Sequence, residues 1–141
     1  MQVGGLVLRY SKRQNSISQS TAEAEYVAAA AVANEIVWWR RLCNDMSYDF
    51  GGPVTVWCDN RAATTLADHA GRFDETKHIQ MRYHVLRDYQ KRGIVKVRWR
   101  QSKRMWADVL TKNCQSGHFR ELVTERMRKG AGVKECVGCC V

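Results

Sequence analysis

Residues 18–42, SQSTAEAEYVAAAAVANEIVWWRRL, are the stretch that decides the fold of this chain. Ser20, followed three residues later by Glu23, is a capping box, in which both side chains take up amide hydrogens that a first helical turn leaves unpaired. The alanines that follow have the highest helix propensity, and their small side chains allow close approach to a neighbouring sheet. The stretch therefore predicts one long helix that packs against a sheet.

One carboxylate of this predicted helix falls among apolar side chains. At about 100° per residue, a group of apolar residues lies within about 40° of Glu25, whereas Glu23 lies about 160° from it. The apolar group comprises Ala29, Val32, Ile36 and Trp39. The pattern therefore predicts that Glu25 points inward and Glu23 outward. Because a buried carboxylate is costly unless it is protonated, paired or bound to a cation, Glu25 belongs either to a structural ion pair or to a cation site.

The composition is that of a folded, basic domain. The chain has 141 residues, of which 45% are hydrophobic and five are Trp, which is enough for the core of one domain. Its 23 Lys and Arg against 14 Asp and Glu give a net charge of +9. A polyanionic partner is therefore expected, with nucleic acid ahead of an anionic membrane surface; a merely soluble basic surface is the alternative.

The sequence pattern contains neither a membrane span nor a secretory signal. No apolar run approaches the roughly 20 residues that cross a bilayer, and residues 1–10 lack the charged start of a signal peptide. The chain is therefore predicted to be intracellular, cytoplasmic or nuclear, with its six cysteines reduced. Three of them, Cys136, Cys139 and Cys140, lie in a terminal segment interpreted as a flexible tail, with part of a zinc site that includes His118 as the alternative.

Strands and helices alternate in the rest of the predicted order. Short runs of β-branched and aromatic residues predict strands at residues 3–10, Val54–Cys58 and 94–100. Apolar periodicity predicts helices at Arg61–Asp68, 76–91, 106–112 and 119–129. This order predicts a mixed α/β fold.

Two aspartates stand where predicted helices begin. Asp59 directly follows the strand Val54–Cys58, and chemistry in a sheet flanked by helices collects at the carboxyl ends of its strands. On local grounds Asp59 is as well suited to cap the next helix as to act in catalysis, and Asn60 could cap that helix instead. Asp108 lies at the start of the helix predicted at 106–112, where an acid ordinarily stabilises the helix dipole.

Basic residues are concentrated in one part of the chain. Residues 77–104 contain ten Lys and Arg and a single acid, Asp88. Such clustering suits contacts with nucleic-acid phosphates, and a solvated basic face is the alternative. The residues predicted to bind nucleic acid are Lys77, Arg82, Lys96, Arg98, Arg100, Lys103 and Arg104.

Four motifs in order, SQSTAEAEY, VWCDNRAA, TKHIQMRYH and ADVLTK, resemble those of the ribonuclease H domain of copia-type retrotransposon Pol polyproteins. The likeness covers residues 4–112. It implies a ribonuclease H-like mixed sheet flanked by helices, acting on an RNA:DNA hybrid beside the reverse transcriptase portion of the same polyprotein. It also implies that Glu25, Asp59 and Asp108 are the catalytic carboxylates and hold two Mg²⁺ ions, with Mn²⁺ as the other suitable ion. His78 and His84 are expected to have surface or packing roles.

The sequence also departs from that family. The family's domain opens with two further strands, the first of which carries a catalytic aspartate, whereas no Asp or Glu precedes Ser11 here. We therefore expect a partial ribonuclease H-like domain at residues 1–113, a helical extension at 114–129 and a Cys-rich flexible tail at 130–141. With three of four carboxylates, the isolated chain is expected to be weakly active or inactive. The alternatives are a non-catalytic basic nucleic-acid-binding module and a second polypeptide that supplies the two strands.

Overall fold

The computed structural model describes residues 20–49, 51–68, 77–105, 107, 115–128 and 135–137. The helices α1 to α4 are Thr21–Asp45, Arg61–Asp68, Lys77–Lys91 and Ser116–Arg128. The strands β1 to β3 are Val54–Cys58, Val95–Trp99 and Glu135–Val137, and a 3-10 turn occupies Ser102–Arg104. The predicted mixed α/β class is confirmed. The strand predicted at 3–10 and the Asp108 helix start lie outside the described residues, apart from Ala107, which is helical.

Helix α1 begins as the capping box predicts. The Ser20 hydroxyl accepts a hydrogen bond from the Glu23 amide at 3.1 Å, and the Ser20 backbone is extended, as an N-cap requires. The helix continues for 25 residues to Asp45, beyond the predicted end at Leu42. Alanine-rich sequence and a satisfied first turn together explain why α1 is the longest element of the described chain.

Removing this cap gives the first testable prediction. The variant Ser20→Ala is expected to lose about 1 kcal/mol of unfolding free energy, because the Glu23 amide would lose its side-chain acceptor. Urea denaturation followed by circular dichroism measures the change. The control is Thr124→Ala on the exposed surface of α4, which is expected to change stability by less than about 0.5 kcal/mol. Equal losses in both variants would contradict the capping role.

In the part of the chain that the structure describes, the sheet has three parallel strands in the order β2-β1-β3, with β1 between the other two. Val54 pairs with Val95, Val56 with Val97 and Cys58 with Trp99. Paired residues of neighbouring parallel strands lie on the same face of a sheet. The valines of this face are at most 4% exposed, and they pack against the core side of the helices. The opposite face carries Lys96 and Arg98, both exposed, so β2 has one basic face toward solvent.

The core side of α1 differs from the predicted one. Its buried residues are Glu23, Tyr26, Ala29, Ala30, Ala33 and Ile36. The expectation that Glu23 points outward is wrong, because only 9% of Glu23 is exposed. The most buried face of the helix is centred between Tyr26 and Ala33. This direction is about 90° around the helix axis from Glu25 and about 70° from Glu23 on the other side. Glu23 and Glu25 therefore flank the core on its two sides, and Glu25 is half-buried.

Gln90 of α3 forms side-chain hydrogen bonds with two neighbouring elements. Gln90 donates a hydrogen bond to the Ala67 carbonyl oxygen at 2.8 Å and accepts one from the Val97 amide at 2.9 Å, which joins the end of α2 to β2. The helix stops before Gly93, whose φ of +67° is the left-handed conformation that glycine adopts without strain. The helix predicted at 76–91 is thus confirmed for Lys77–Lys91.

Part of the segment predicted as a flexible tail is ordered. Glu135–Val137 forms β3, which pairs in parallel with β1 at Thr55, Val56 and Trp57. The segment contains few β-branched residues, so its sequence predicts a strand only weakly, whereas its glycines and cysteines favour a flexible tail. The parallel partner strand, which sequence periodicity alone could not reveal, is what orders these three residues. Helix α4 confirms the predicted terminal helix but begins three residues earlier, at Ser116. Among the described residues, no helix is both long and apolar enough to cross a membrane.

Candidate metal centre

Two of the three predicted carboxylates meet at the carboxyl end of β1. One ligand atom each from Glu25, Cys58 and Asp59 lies within 4.8 Å of the others. Glu25 comes from the second turn of α1, Cys58 is the last residue of β1, and Asp59 follows it. The close contact of the alanine-rich α1 with the sheet brings residues 34 positions apart together (25 to 59). The third predicted carboxylate, Asp108, lies outside the described residues.

Asp59 is not the cap of α2. Asn60 performs that role, because its side-chain oxygen accepts a hydrogen bond from the Ala63 amide at 3.1 Å. The Asn60 carbonyl oxygen also accepts bonds from the amide and the hydroxyl of Thr64. Of the two roles left open for Asp59 by the sequence, capping is therefore excluded. The carboxylate of Asp59 instead belongs to the cluster with Glu25 and Cys58.

Glu25 presents one half of its carboxylate to the protein interior. Its oxygen Oε2 is fully buried, although the residue as a whole is half-buried. Asp59 is also half-buried, which leaves the cluster accessible from one side. Two partly desolvated carboxylates at this separation repel each other, and a divalent cation between them relieves that repulsion.

Cys58 is the third member of the cluster and was not among the predicted site residues. Its side chain is fully buried. Burial raises the pKa of the Cys58 thiol, and the negative charges of Glu25 and Asp59 raise this pKa further. A hydrogen bond with the Asn60 backbone lowers the pKa by a smaller amount than burial raises it. The thiol is therefore protonated at neutral pH. A cysteine at the inward position before an aspartate at a strand end is the signal that could have revealed it.

The raised pKa predicts a loss of stability in alkali. A thiol that keeps its proton more tightly in the folded protein stabilises the fold below the pKa of the unfolded thiol, about 8.5. That contribution is lost as the pH rises through the higher pKa of the folded state. Urea denaturation at several pH values is expected to show a smaller alkaline decline for Cys58→Ala than for the unchanged chain. The control Cys43→Ala should retain the full decline, and an unchanged decline in Cys58→Ala would contradict this assignment.

The donor atoms of the cluster suit a hard divalent cation. Mg²⁺ and Mn²⁺ prefer carboxylate oxygens, which Glu25 and Asp59 supply. The Cys58 sulfur is a soft donor that retains its proton, so it is not a ligand for Mg²⁺. The two carboxylates thus fit the ion that the family resemblance implies, and the fully buried Cys58 side chain lies beside them.

Two residues beside the cluster were not predicted as functional. The Trp99 indole nitrogen donates a hydrogen bond to the Asp59 carbonyl oxygen at 3.2 Å. The Arg61 guanidinium carbon lies 4.2 Å from the centre of a Trp99 ring, within the range of a cation–π contact. Both residues are exposed. The position of Trp99 at the carboxyl end of a basic strand could have indicated a functional role. The sequence alone could not show that Arg61 stacks on its ring.

The predicted nucleic-acid-binding residues are spread over more than one surface. Lys96 and Arg98 are exposed on the sheet face opposite Cys58, and Lys103 and Arg104 are exposed on the turn that follows β2. Arg100 is half-buried, with its guanidinium carbon 5.2 Å from the centre of a Trp57 ring.

The remaining basic and histidine predictions lie on α3. Lys77 and Arg82 belong to this helix, and so does His78, but the side chains of all three lie outside the described residues. His84 is exposed, as a surface role requires.

Known proteins similar to this chain are retrotransposon polyproteins. The Pol polyprotein of transposon TNT 1-94 from Nicotiana tabacum is 34% identical over 109 residues, which are 77% of this chain and 8% of that protein. The Pol polyprotein of transposon RE2 from Arabidopsis thaliana is 31% identical over 102 residues, 72% of this chain and 7% of that protein. That of transposon RE1 from Arabidopsis thaliana is 29% identical over 115 residues, 82% of this chain and 8% of that protein.

These relatives are described as retrovirus-related Pol polyproteins. The homologues of this chain are thus Pol polyproteins of plant copia-type transposons, and the chain spans less than a tenth of their length. This similarity supports a retrotransposon-derived region. No protein-family model matches the chain. No solved structure matches it either.

Proposed function

We propose that this chain is the ribonuclease H portion of a retrotransposon Pol polyprotein, which hydrolyses the RNA strand of an RNA:DNA hybrid. The observation that carries the proposal is the convergence of Glu25 and Asp59, at the positions of the family's catalytic carboxylates, within 4.8 Å of each other's ligand atoms. Similarity to Pol polyproteins supports the same lineage. Asp108, from the ADVLTK motif, is proposed as the third catalytic and metal-binding carboxylate.

Glu25, Asp59 and Asp108 would hold Mg²⁺, or Mn²⁺ in its place. When bound in pairs, such ions activate water and stabilise the departing oxygen in phosphodiester hydrolysis. The protein's own part is positional. Helix α1 holds Glu25 against the sheet, the Asn60 cap leaves Asp59 to the cluster, and the buried Cys58 side chain lies beside the two carboxylates.

Nucleic acid would be held by the basic side chains around β2. Lys96, Arg98, Lys103 and Arg104 are all exposed, so they are able to reach phosphates without rearrangement of the core. A contact with a ribose 2′-hydroxyl would distinguish the RNA strand from DNA. The reverse transcriptase portion of the same polyprotein is the proposed neighbour.

A labelled hybrid tests the proposed reaction. Any cleavage by the purified chain is expected to be weak, to require Mg²⁺ or Mn²⁺ and to be confined to the RNA strand of an RNA:DNA hybrid. Asp59→Asn should abolish this cleavage. Asp68→Asn is the matched control, since it makes the same change at the exposed end of α2, and it should leave the cleavage rate unchanged.

Two outcomes would contradict the proposed reaction. They are cleavage of single-stranded RNA at the same rate as the hybrid, and cleavage that survives Asp59→Asn.

The second candidate function is a basic nucleic-acid-binding module without chemistry. The exposure of Lys96 and Arg98 on a sheet face away from Cys58 favours it, because that face could bind a polyanion without involving the carboxylates. Titration of the hybrid at several salt concentrations separates the two functions. Binding with a salt dependence that is unchanged by Glu25→Gln and Asp59→Asn supports the module, whereas binding that Mg²⁺ strengthens supports the nuclease.

A further inference from the structure

Trp99 occupies an unusual position for a large apolar side chain. It is the last residue of β2 and pairs with Cys58, so it lies at the carboxyl edge of the sheet, where Glu25 and Asp59 meet. The side chain nevertheless keeps 39% of its surface exposed. The two other paired residues of β2 on this face, Val95 and Val97, are buried. Core packing therefore does not account for a tryptophan at this position.

The indole of Trp99 is fixed at two points. Its nitrogen donates to the Asp59 carbonyl oxygen at 3.2 Å, and its ring lies under the Arg61 guanidinium at 4.2 Å. The first contact ties the ring to the backbone of a cluster residue. The second holds a long, exposed side chain in one orientation, which reduces the entropy that Arg61 would otherwise lose on binding a ligand.

A guanidinium stacked on a ring keeps its N–H donors at its edges. These donors lie in one plane and match the oxygens of a phosphate, and phosphate recognition by arginine commonly uses this geometry. Arg61 is two residues from Asp59, and its ring partner Trp99 bonds to the Asp59 backbone, so a phosphate at the edge of the guanidinium would lie near the cluster. The neighbouring exposed indole offers a flat apolar surface for the sugar or base of that nucleotide.

We propose that Trp99 and Arg61 form a phosphate-binding site that positions a nucleic-acid strand beside Glu25 and Asp59. Arg61 binds the phosphate, and Trp99 orients the guanidinium and stacks on the adjoining nucleotide. The inference rests on the proposed function, because it takes a nucleic-acid strand as the ligand. Both residues are positioning residues, since neither one contacts the reacting atoms.

The test measures binding of a fluorescent RNA:DNA hybrid by the full chain in EDTA, at four or more potassium chloride concentrations. Without divalent ions the titration does not depend on the metal centre. Arg61→Gln is expected to weaken binding about 10-fold at the lowest salt concentration. It should also reduce the slope of log affinity against log salt by about 0.9, the value for one phosphate contact.

Further variants show whether the effect comes from the orientation of Arg61 by Trp99, from the loss of one positive charge or from unfolding. Arg92→Gln removes the same charge from an exposed side chain before β2, at the other end of the sheet, and should leave the slope unchanged. Trp99→Leu should weaken binding at least as much as Arg61→Gln, and the double variant should bind no more weakly than Trp99→Leu. Trp99→Phe keeps a ring under the guanidinium but loses the donor to Asp59, so it should retain most of the affinity. Circular dichroism confirms that each variant is folded.

Several results would overturn the phosphate site. They are an unchanged slope in Arg61→Gln, equal effects of Arg61→Gln and Arg92→Gln, additive losses in the double variant, or no binding of the hybrid. The proposed function fails differently, through a lack of any Mg²⁺ effect on binding or cleavage. A normal Mg²⁺ effect with an unchanged slope in Arg61→Gln would therefore reject the phosphate site alone.

Discussion

Glu25→Gln is expected to raise the Mg²⁺ concentration that gives a half-maximal increase in hybrid binding by about 10- to 100-fold, the range that loss of even an outer partner of a metal produces. Glutamine keeps the size and the hydrogen-bonding capacity of the side chain but removes its charge. The effect therefore reports the negative charge at the cluster and not the packing of α1. Fluorescence anisotropy of a labelled hybrid, titrated with Mg²⁺, measures the shift.

Glu121→Gln is the control for this change. Glu121 is exposed on α4, so its replacement alters the net charge equally without touching the cluster. The Mg²⁺ requirement of this variant should equal that of the unchanged chain. If Glu25→Gln also left the requirement unchanged, the half-buried carboxylate would have a purely structural role.

Leu86→Ala is expected to have the largest effect on stability, a loss of about 2 to 5 kcal/mol of unfolding free energy. Leu86 is 0% exposed and belongs to the cluster of buried side chains that joins the helices to β1 and β2. Truncation leaves a cavity that the surrounding alanines and valines are too short to fill. Urea denaturation followed by circular dichroism gives the difference.

His84→Ala on the same helix provides the comparison. His84 is exposed, so its loss should change stability by less than about 0.5 kcal/mol. Hybrid cleavage should also be unchanged, because a surface histidine has no part in the proposed reaction. A loss from Leu86→Ala as small as that from His84→Ala would contradict the assigned core.

Local sequence signals predicted most of the described elements. The capping box at Ser20, the β-branched run at Val54–Cys58 and the glycine stop at Gly93 each act within a few residues, so that their effect can be read without the fold. The terminal strand Glu135–Val137 was missed because its order depends on pairing with β1, far away in sequence. The outward placement of Glu23 failed because the predicted core face of α1 was centred on the wrong residues.

The candidate site shows the same division. Helical periodicity indicated that Glu25 lies near the sheet but placed it at the centre of the core face, whereas it is half-buried at the flank. The place of Asp59 followed from the end of a strand. The choice between capping and the cluster for Asp59 required the observed Asn60 cap. The contacts of Trp99 with Arg61 and with the Asp59 backbone join separate elements, so no local pattern encodes them.

Manganese binding followed by electron paramagnetic resonance tests the central claim most directly, since free Mn²⁺ gives a strong signal that coordination broadens. The chain should bind Mn²⁺, with Mg²⁺ competing for the same site, and Asp59→Asn should weaken binding about 10-fold or more, whereas Asp68→Asn should not. Equal Mn²⁺ binding by the unchanged chain and Asp59→Asn would contradict a metal centre at Glu25 and Asp59.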